Sequence, residues 1–267
     1  MEDPSDHKST VREEFTKQAR DYAESSILTD PEKIESLIQA TSASSEARVL
    51  EVATGPGHVA FGFAEECDQV IGLDITEAQL EIAEEKRGER GVDNVHFARG
   101  DAEGLPYEDD SFDVVVCRLA FHHFENPSLV ITEMARVCRP NGTIAIDDII
   151  VSEFTERASY QNTFERLRDP SHVRALPLSE IIVLFRQSGA DVTDVVSGAN
   201  IQEVEQWLSL AKTSESRSDE VRQMIEEDAR DDWSGTRPFW QDGKLYFIQN
   251  TAIVVGRRLH ESELSRI

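Results

Sequence analysis

The run Glu51-Val-Ala-Thr-Gly-Pro-Gly57 places two glycines, one residue apart, directly behind the apolar stretch RVLEVA (48–53). Glycines at 55 and 57 let the backbone pass close to a ligand and turn sharply into a helix whose first N–H groups face that ligand. Seventeen residues past Gly57, Asp74 closes a second apolar run, VIGLD. A carboxylate at the end of such a strand can accept both hydroxyls of a ribose. Together these residues point to a cofactor that contains adenosine. A Gly-x-Gly by itself is also what an ordinary structural turn requires, so the weight rests on the pair.

The same residues leave a rival open. Gly55-x-Gly57-x-x-Ala60 satisfies the dinucleotide fingerprint, which would make the chain an NAD-dependent oxidoreductase. Ala53 and Glu51 oppose that reading. A carboxylate at the mouth of the site repels a pyrophosphate and attracts the sulfonium and ammonium of S-adenosylmethionine. Further on, Gly100-Asp101-Ala102-Glu103 follows a third apolar run. Asp101 can accept a hydrogen bond from an adenine amino group, and the N–H of Ala102 can reach a ring nitrogen.

Methyl transfer from a sulfonium needs alignment and exclusion of water, and a general base only where the acceptor must lose a proton. The candidates for that base are His122, His123, Asp148 and His172, with His122 first among them. Asp147 and Asp148 fall on opposite faces of one strand, and Asp148 is the one expected at the ligand crevice. Capping, packing under Phe121 and Phe124, or plain surface charge are the structural alternatives. No metal site is expected, because adjacent histidines in an extended loop do not converge on one ion and no Cys or carboxylate completes a ligand set. No Gly-x-Ser-x-Gly elbow occurs either.

These groups need a scaffold. Residues 1–45 read as a helical cap, with Phe15, Ala19 and Tyr22 on one face, then a helix opened by Asp30 and Pro31. From residue 48 the pattern becomes strand–helix alternation. Strands are expected at 48–53, 70–74, 94–98, 112–117 and 143–150. Between them fall helices at HVAFGFAEE, at TEAQLEIAEEKRGERG capped by Thr76, and from Asn126-Pro127 to the Pro140-Asn141-Gly142 stop. Such alternation predicts an α/β fold, a parallel sheet doubly wound with helices on both faces. Helix over 153–168, a polar break at RDPSHVRALP and an amphipathic helix from Leu178 to Gly189 come next. ADVTDVVSG reads as a sixth strand, 201–232 as acidic helix, GTRPFWQDGK as a loop and 245–258 as a closing β segment.

The stretch VLEVATGPGHVA…VIGLD…NVHFARGDAEGLPYEDDSFDVVVCRLAFHHF…ARVCRPNGTIAIDD resembles the class I methyltransferases. Within them it is similar to the small-molecule group typified by ubiquinone and menaquinone biosynthesis (methyltransferase type 11). That resemblance implies a Rossmann-like, seven-stranded, mostly parallel sheet with an antiparallel last strand, and S-adenosylmethionine as cofactor. It implies a methyltransferase domain over 46–267 with cover segments at about 153–188 and 201–240. By the same resemblance Gly55 and Gly57 pass under the methionine end, and Asp74 holds the ribose with Ile75 flanking the adenine. Asp101 and Ala102 read the adenine edge, Arg118 lies beside the sulfonium through its main chain, and Phe15 and Tyr22 close over the cofactor. The family commonly has Gly at Ala53 and often Asp at Glu51.

Charge narrows the acceptor. The 52 acidic and 27 basic residues give a formal net charge of −25, which repels nucleic acid and anionic membranes. Only six of the basic residues are Lys, a composition resembling that of halophilic proteins. Arg166, Arg168 and Arg174 form the one local basic cluster, suited to an anionic small substrate or to salt bridges. Cys67, Cys117 and Cys138 lie far apart and read as reduced thiols of a cytoplasmic protein. The acidic, polar N-terminus is not a secretory signal. The expectation is a methyltransferase for a small molecule by in-line displacement, with a protein acceptor left open; the alternatives are an NAD-dependent oxidoreductase and a non-catalytic S-adenosylmethionine-binding module. Oligomeric state does not follow from these features.

Overall fold

Apolar residues at successive strand positions build a sheet buried on both faces. In the computed structural model, which describes residues 4–25 and 27–264, the strands are β1 (Arg48–Val52), β2 (Gln69–Asp74), β3 (Val95–Arg99), β4 (Phe112–Arg118), β5 (Cys138–Val151), β6 (Leu176–Pro177), β7 (Ala190–Glu203), β8 (Phe239–Gln241) and β9 (Lys244–Arg258). The main path runs β3-β2-β1-β4-β5-β9-β7. All neighbours from β3 to β5 pair in parallel, whereas β9 lies antiparallel to both β5 and β7. Seven strands with the last antiparallel is the expected sheet. Strand order reverses between β1 and β4, and an α/β sheet opens a ligand crevice outside the carboxyl ends at that point.

Helices α1 (Pro4–Ala23), α2 (Pro31–Thr41), α3 (His58–Ala64), α4 (Glu77–Arg90), α5 (Pro127–Val137), α6 (Thr155–Arg168), α7 (Leu178–Gln187), α8 (Val204–Leu210) and α9 (Glu215–Asp228) cover the sheet. Asp30 caps α2 through the Glu32 N–H, with Pro31 in the first turn. Asn126 does the same for α5 through Leu129 N–H. Leu50, Val115 and Ile144 face α5 and α7, packing on Met134 and Phe185. The alternate residues Val49, Val114 and Ala145 pack on Phe61, Phe63 and Leu37. A smaller core of Phe164, Trp207, Phe247 and Ile225 joins α6, α8 and α9 to the near end of β9.

Several expectations need correcting. Helix α5 ends at Val137 rather than at the Pro140 turn. Cys138 already pairs with Phe112 across an irregularity in the ladder, and this starts β5 early. The loop expected at GTRPFWQDGK contains β8, which forms a hairpin with β9. Residues 201–203 belong to β7, not to helix. Thr76 sits at the cap position of α4 but makes no side-chain cap bond; the Asp74 carboxylate takes the Thr76 N–H instead. Within the polar break, Asp169, Ser171 and His172 are buried, so His172 is not a surface residue. Of the N-terminal cap, residues 1–3 and 26 lie outside the described residues. Among the described residues no helix is long and apolar enough to cross a membrane.

Candidate active site

The carboxyl ends of β1, β2 and β4 meet helix α1 in a trough with about 780 Å³ of empty space. Glu51, Ala53, Gly55, Asp74, Ile75 and Arg118 line it from the sheet, Phe15 and Tyr22 from α1. Gly57 has a φ of 81°, and a Cβ there would stand 2.7 Å from the Phe97 ring, so both its conformation and its packing require glycine. Ala53 holds a φ of 56° and Leu119 one of 50°. These are left-handed conformations of residues that carry a Cβ, at the ends of β1 and β4 where the crevice opens.

The carboxylates are fastened by backbone. Asp74 accepts Gly55 N–H and Thr76 N–H, each at 2.8 Å. Glu51 accepts the Thr54 hydroxyl at 2.5 Å and the Ala60 N–H at 2.9 Å. Burial pushes the Glu51 carboxyl up to about 8 against the pull of those two hydrogen bonds, and burial raises Asp74 as well. A ligand cation beside them would favour their ionised forms. The Gln79 Oε1, also in the trough lining, is buried without a hydrogen-bond partner. Two acidic groups and an orphaned acceptor suit a ligand with hydroxyls and positive charge.

A second compartment of about 480 Å³ continues the trough and shares Ala53, Ile75, His123 and Phe124 with it. Asp101 and Ala102 are here. Asp101 is already engaged: it bonds Lys8 at 2.7 Å and Glu103 N–H at 3.0 Å. Glu103 holds the same ammonium at 2.6 Å, so α1 is strapped across this compartment. Arg118 is fixed through its side chain, not only its main chain. Its guanidinium bonds Asp147 at 3.0 Å and the carbonyls of Leu28 and Ile27.

A third cavity, about 520 Å³, opens beyond Tyr22, Leu28, Leu119 and His123, which it shares with the trough. His122 lines it. The His122 Nδ1 lies 2.6 Å from Asp148 Oδ1, and Asp148 also accepts the His122 and Ile149 N–H groups. A carboxylate only accepts, so Nδ1 carries the proton and Nε2 keeps its lone pair. Asp148 is 2% exposed and is absent from the linings of all three cavities; it acts through His122. Neither Asp147 nor Asp148 is surface charge. His123 donates Nδ1–H to the Ser171 carbonyl at 2.9 Å. His172 is held by Asn162 Oδ1 at 2.8 Å and tilts against the His122 ring at 5.3 Å.

Environment separates the three imidazoles. Burial and the neighbouring His122 lower His123 to about 4, and burial lowers His172 well below the ordinary value. His122 resists the same burial because the Asp148 carboxylate raises it above 6.5. It is the strongest base of the cluster. Among the described residues no group of His, Cys, Asp and Glu is arranged to hold a metal.

The sequence did not reveal the rest of this cavity. Gln202 on β7 donates to Gln249 on β9 at 3.0 Å, and Gln249 donates to Glu165 on α6 at 2.9 Å. All three are buried and line the cavity. Their only sequence signal is polar residues at the inward positions of apolar elements. The basic cluster divides: Arg166 is exposed, Arg174 pairs with Glu180 at 2.6 Å, and Arg168 alone lines the cavity.

Residues 43–228 match a family model described as "Methyltransferase domain". The chain is 33% identical to the uncharacterized methyltransferase YcgJ of Bacillus subtilis over 207 residues, 78% of this chain and 82% of that one. The crystal structure of YcgJ superposes with a TM-score of 0.82 at 28% identity, over 86% of this chain and 99% of that one. A 27-O-demethylrifamycin SV methyltransferase of Amycolatopsis mediterranei is 31% identical over 183 residues, 67% of this chain and 66% of its own. These relatives give the oxidoreductase reading of the glycine motif no support.

Proposed function

The chain belongs to the class I S-adenosylmethionine-dependent methyltransferases, and from that premise we propose that it methylates a small-molecule hydroxyl held in the third cavity. The observation that carries this is the buried His122–Asp148 pair, which opens onto a cavity that shares its wall with the cofactor trough. When bound, the cofactor supplies a sulfonium-activated methyl, and the C–S pair stays on sulfur as the new C–O bond forms. His122 Nε2 takes the acceptor's proton, Asp148 orients the ring and stabilises its charged form, and the proton leaves to solvent as imidazole is restored. Leu119, Leu28 and Tyr22 exclude water along the line between donor and acceptor.

On the cofactor side, Asp74 holds the ribose hydroxyls, Glu51 faces the methionine ammonium, and Ile75 with Phe124 encloses the adenine beside Asp101 and Ala102. A small acceptor is supported by the size of the cavity and by a net charge that repels nucleic acid and anionic membranes. The name of the rifamycin relative describes transfer to an oxygen of a small molecule, which agrees with a base-dependent acceptor.

The test is the pH profile of turnover with any hydroxylated acceptor found by mass spectrometry of methylated products. Besides Asp148, the groups that face His122 are Glu165, Asp169, His123 and His172. Below its own pKa His122 is protonated and cannot accept, so turnover should rise with pH through a midpoint above 6.5. A flat profile in that range contradicts the role.

A further inference from the structure

Among the walls of the third cavity, the one formed by α6 carries Arg168, which has Glu165 and Asp169 nearby but is in contact with neither carboxylate. Arg168 donates Nε–H to the Trp207 carbonyl at 3.0 Å and Nη2–H to the Tyr22 hydroxyl at 3.3 Å. Its guanidinium lies over the Trp207 ring, 4.7 Å from the centroid. A guanidinium carries five N–H donors, so the fork is only partly used, and no ion pair among the described residues involves it. The other arginine at the site, Arg118, is tied to Asp147. The rings of Tyr22 and Trp207 and the aliphatic Ile149 line the same space.

We propose that the cavity takes an aromatic acceptor carrying both a hydroxyl and a carboxylate, the hydroxyl at His122 and the carboxylate on the free edge of Arg168. This deepens the small-molecule reading above and rests on it. A guanidinium fork matches a carboxylate in shape and charge. It also answers a problem specific to this protein. A chain with a net charge of −25 repels an anion at long range, so an anionic substrate needs a local cation sheltered from that field. Asp169, also beside Arg168, lies outside the cavity lining and accepts from Ser171, but Glu165 in the same wall argues for a cationic ligand instead. Its carboxylate, however, ends the Gln202–Gln249 ladder and is held by the Gln249 amide, whereas the Arg168 fork keeps unused donors.

Binding is measured by calorimetry with the full chain saturated in S-adenosylhomocysteine and molar KCl. The acid probes are 3,4-dihydroxybenzoate, caffeate and 3,4-dihydroxyphenylacetate. Each is matched to a neutral analogue in which the carboxylate is a primary amide, and dopamine serves as a cationic probe. At least one acid should bind about tenfold or more tightly than its amide, the scale of one charge-assisted contact. Arg168→Met should erase that preference and Arg168→Lys should restore part of it, with affinity for S-adenosylhomocysteine unchanged in both. Equal binding of acids and amides, preference for dopamine, silence from every acid, or a preference that survives in Arg168→Met would overturn the proposal. Failure of the wild type to bind S-adenosylhomocysteine would instead remove the function on which it rests. If Arg168→Met fails to fold, the acid–amide ratio in the wild type and in Arg168→Lys still decides.

Discussion

The trough proposed for the cofactor and the cavity proposed for the acceptor share a wall but are built in opposite ways. In the trough, the groups fastening each carboxylate come from nearby in sequence or from the adjoining strand end. Glu51 is held by Thr54 and Ala60, and Asp74 by Gly55 and Thr76. In the acceptor cavity the polar wall joins Glu165, Gln202 and Gln249, which meet only because β7 and β9 pair and α6 packs beside them. The first region is a motif and the second an assembly. A site built from local turns is fixed once its strands form, whereas the cavity depends on the whole cover settling on the sheet.

The largest expected effect falls on the boundary between the two. His122→Ala should lower kcat by about 10²–10⁴-fold, the range for losing a general base, while leaving binding of S-adenosylhomocysteine within about twofold. Loss of cofactor binding in that variant would mean that the two regions are not separable in the way described.

Next comes the assembled wall. Gln249→Leu removes the donor to Glu165 and the acceptor for Gln202, leaving buried groups unsatisfied at roughly 1–3 kcal/mol. Thermal denaturation should show that loss, and KM for the acceptor should rise with little change in cofactor affinity. An unchanged melting temperature would show that the ladder is not a structural unit.

Glu51 probes the local region through protons. The free enzyme holds Glu51 at about 8, so at pH 7 it is mostly protonated. A cofactor ammonium stabilises the ionised form, and binding should therefore release up to about one proton. Calorimetry in buffers of different ionisation enthalpy measures this release, and Glu51→Gln should abolish it. Release that persists in the variant would come from another group.

The smallest effect concerns strain. Ala53→Gly should stabilise the fold by about 1 kcal/mol or less, because a glycine adopts the 56° φ freely but costs entropy in the unfolded chain. A clear destabilisation would show that the Ala53 methyl packs usefully in the trough.

The same division governs what could be read from the chain. Strand alternation and the Gly55, Gly57 and Asp74 spacing are local, and they yielded the α/β sheet and the grouping of the trough residues. His122 was identifiable as one of two histidines a few residues past β4, but its Asp148 partner at 2.6 Å is a consequence of the β4–β5 pairing. Arg168 was visible only as one of three nearby arginines. Its separation from Arg166 and Arg174 depends on the pitch of α6 and on where α8 lands. Glu165, Gln202 and Gln249 carry no motif at all. Within the polar break RDPSHVRALP, His172 could equally have been a surface residue, because its neighbours are polar. The buried members of the break are held by local bonds, Ser171 on Asp169 at 2.6 Å and His172 on Asn162 at 2.8 Å.

The assignment of the trough is tested most directly by calorimetric titration of S-adenosylhomocysteine into the wild type and into Asp74→Ala, in molar KCl with NAD as control. The account predicts micromolar binding to the wild type, about 100-fold weaker binding to the variant from the lost charge-assisted bonds to ribose, and no response to NAD. Equal affinity of the two proteins for S-adenosylhomocysteine, or binding of NAD to the wild type, would contradict it.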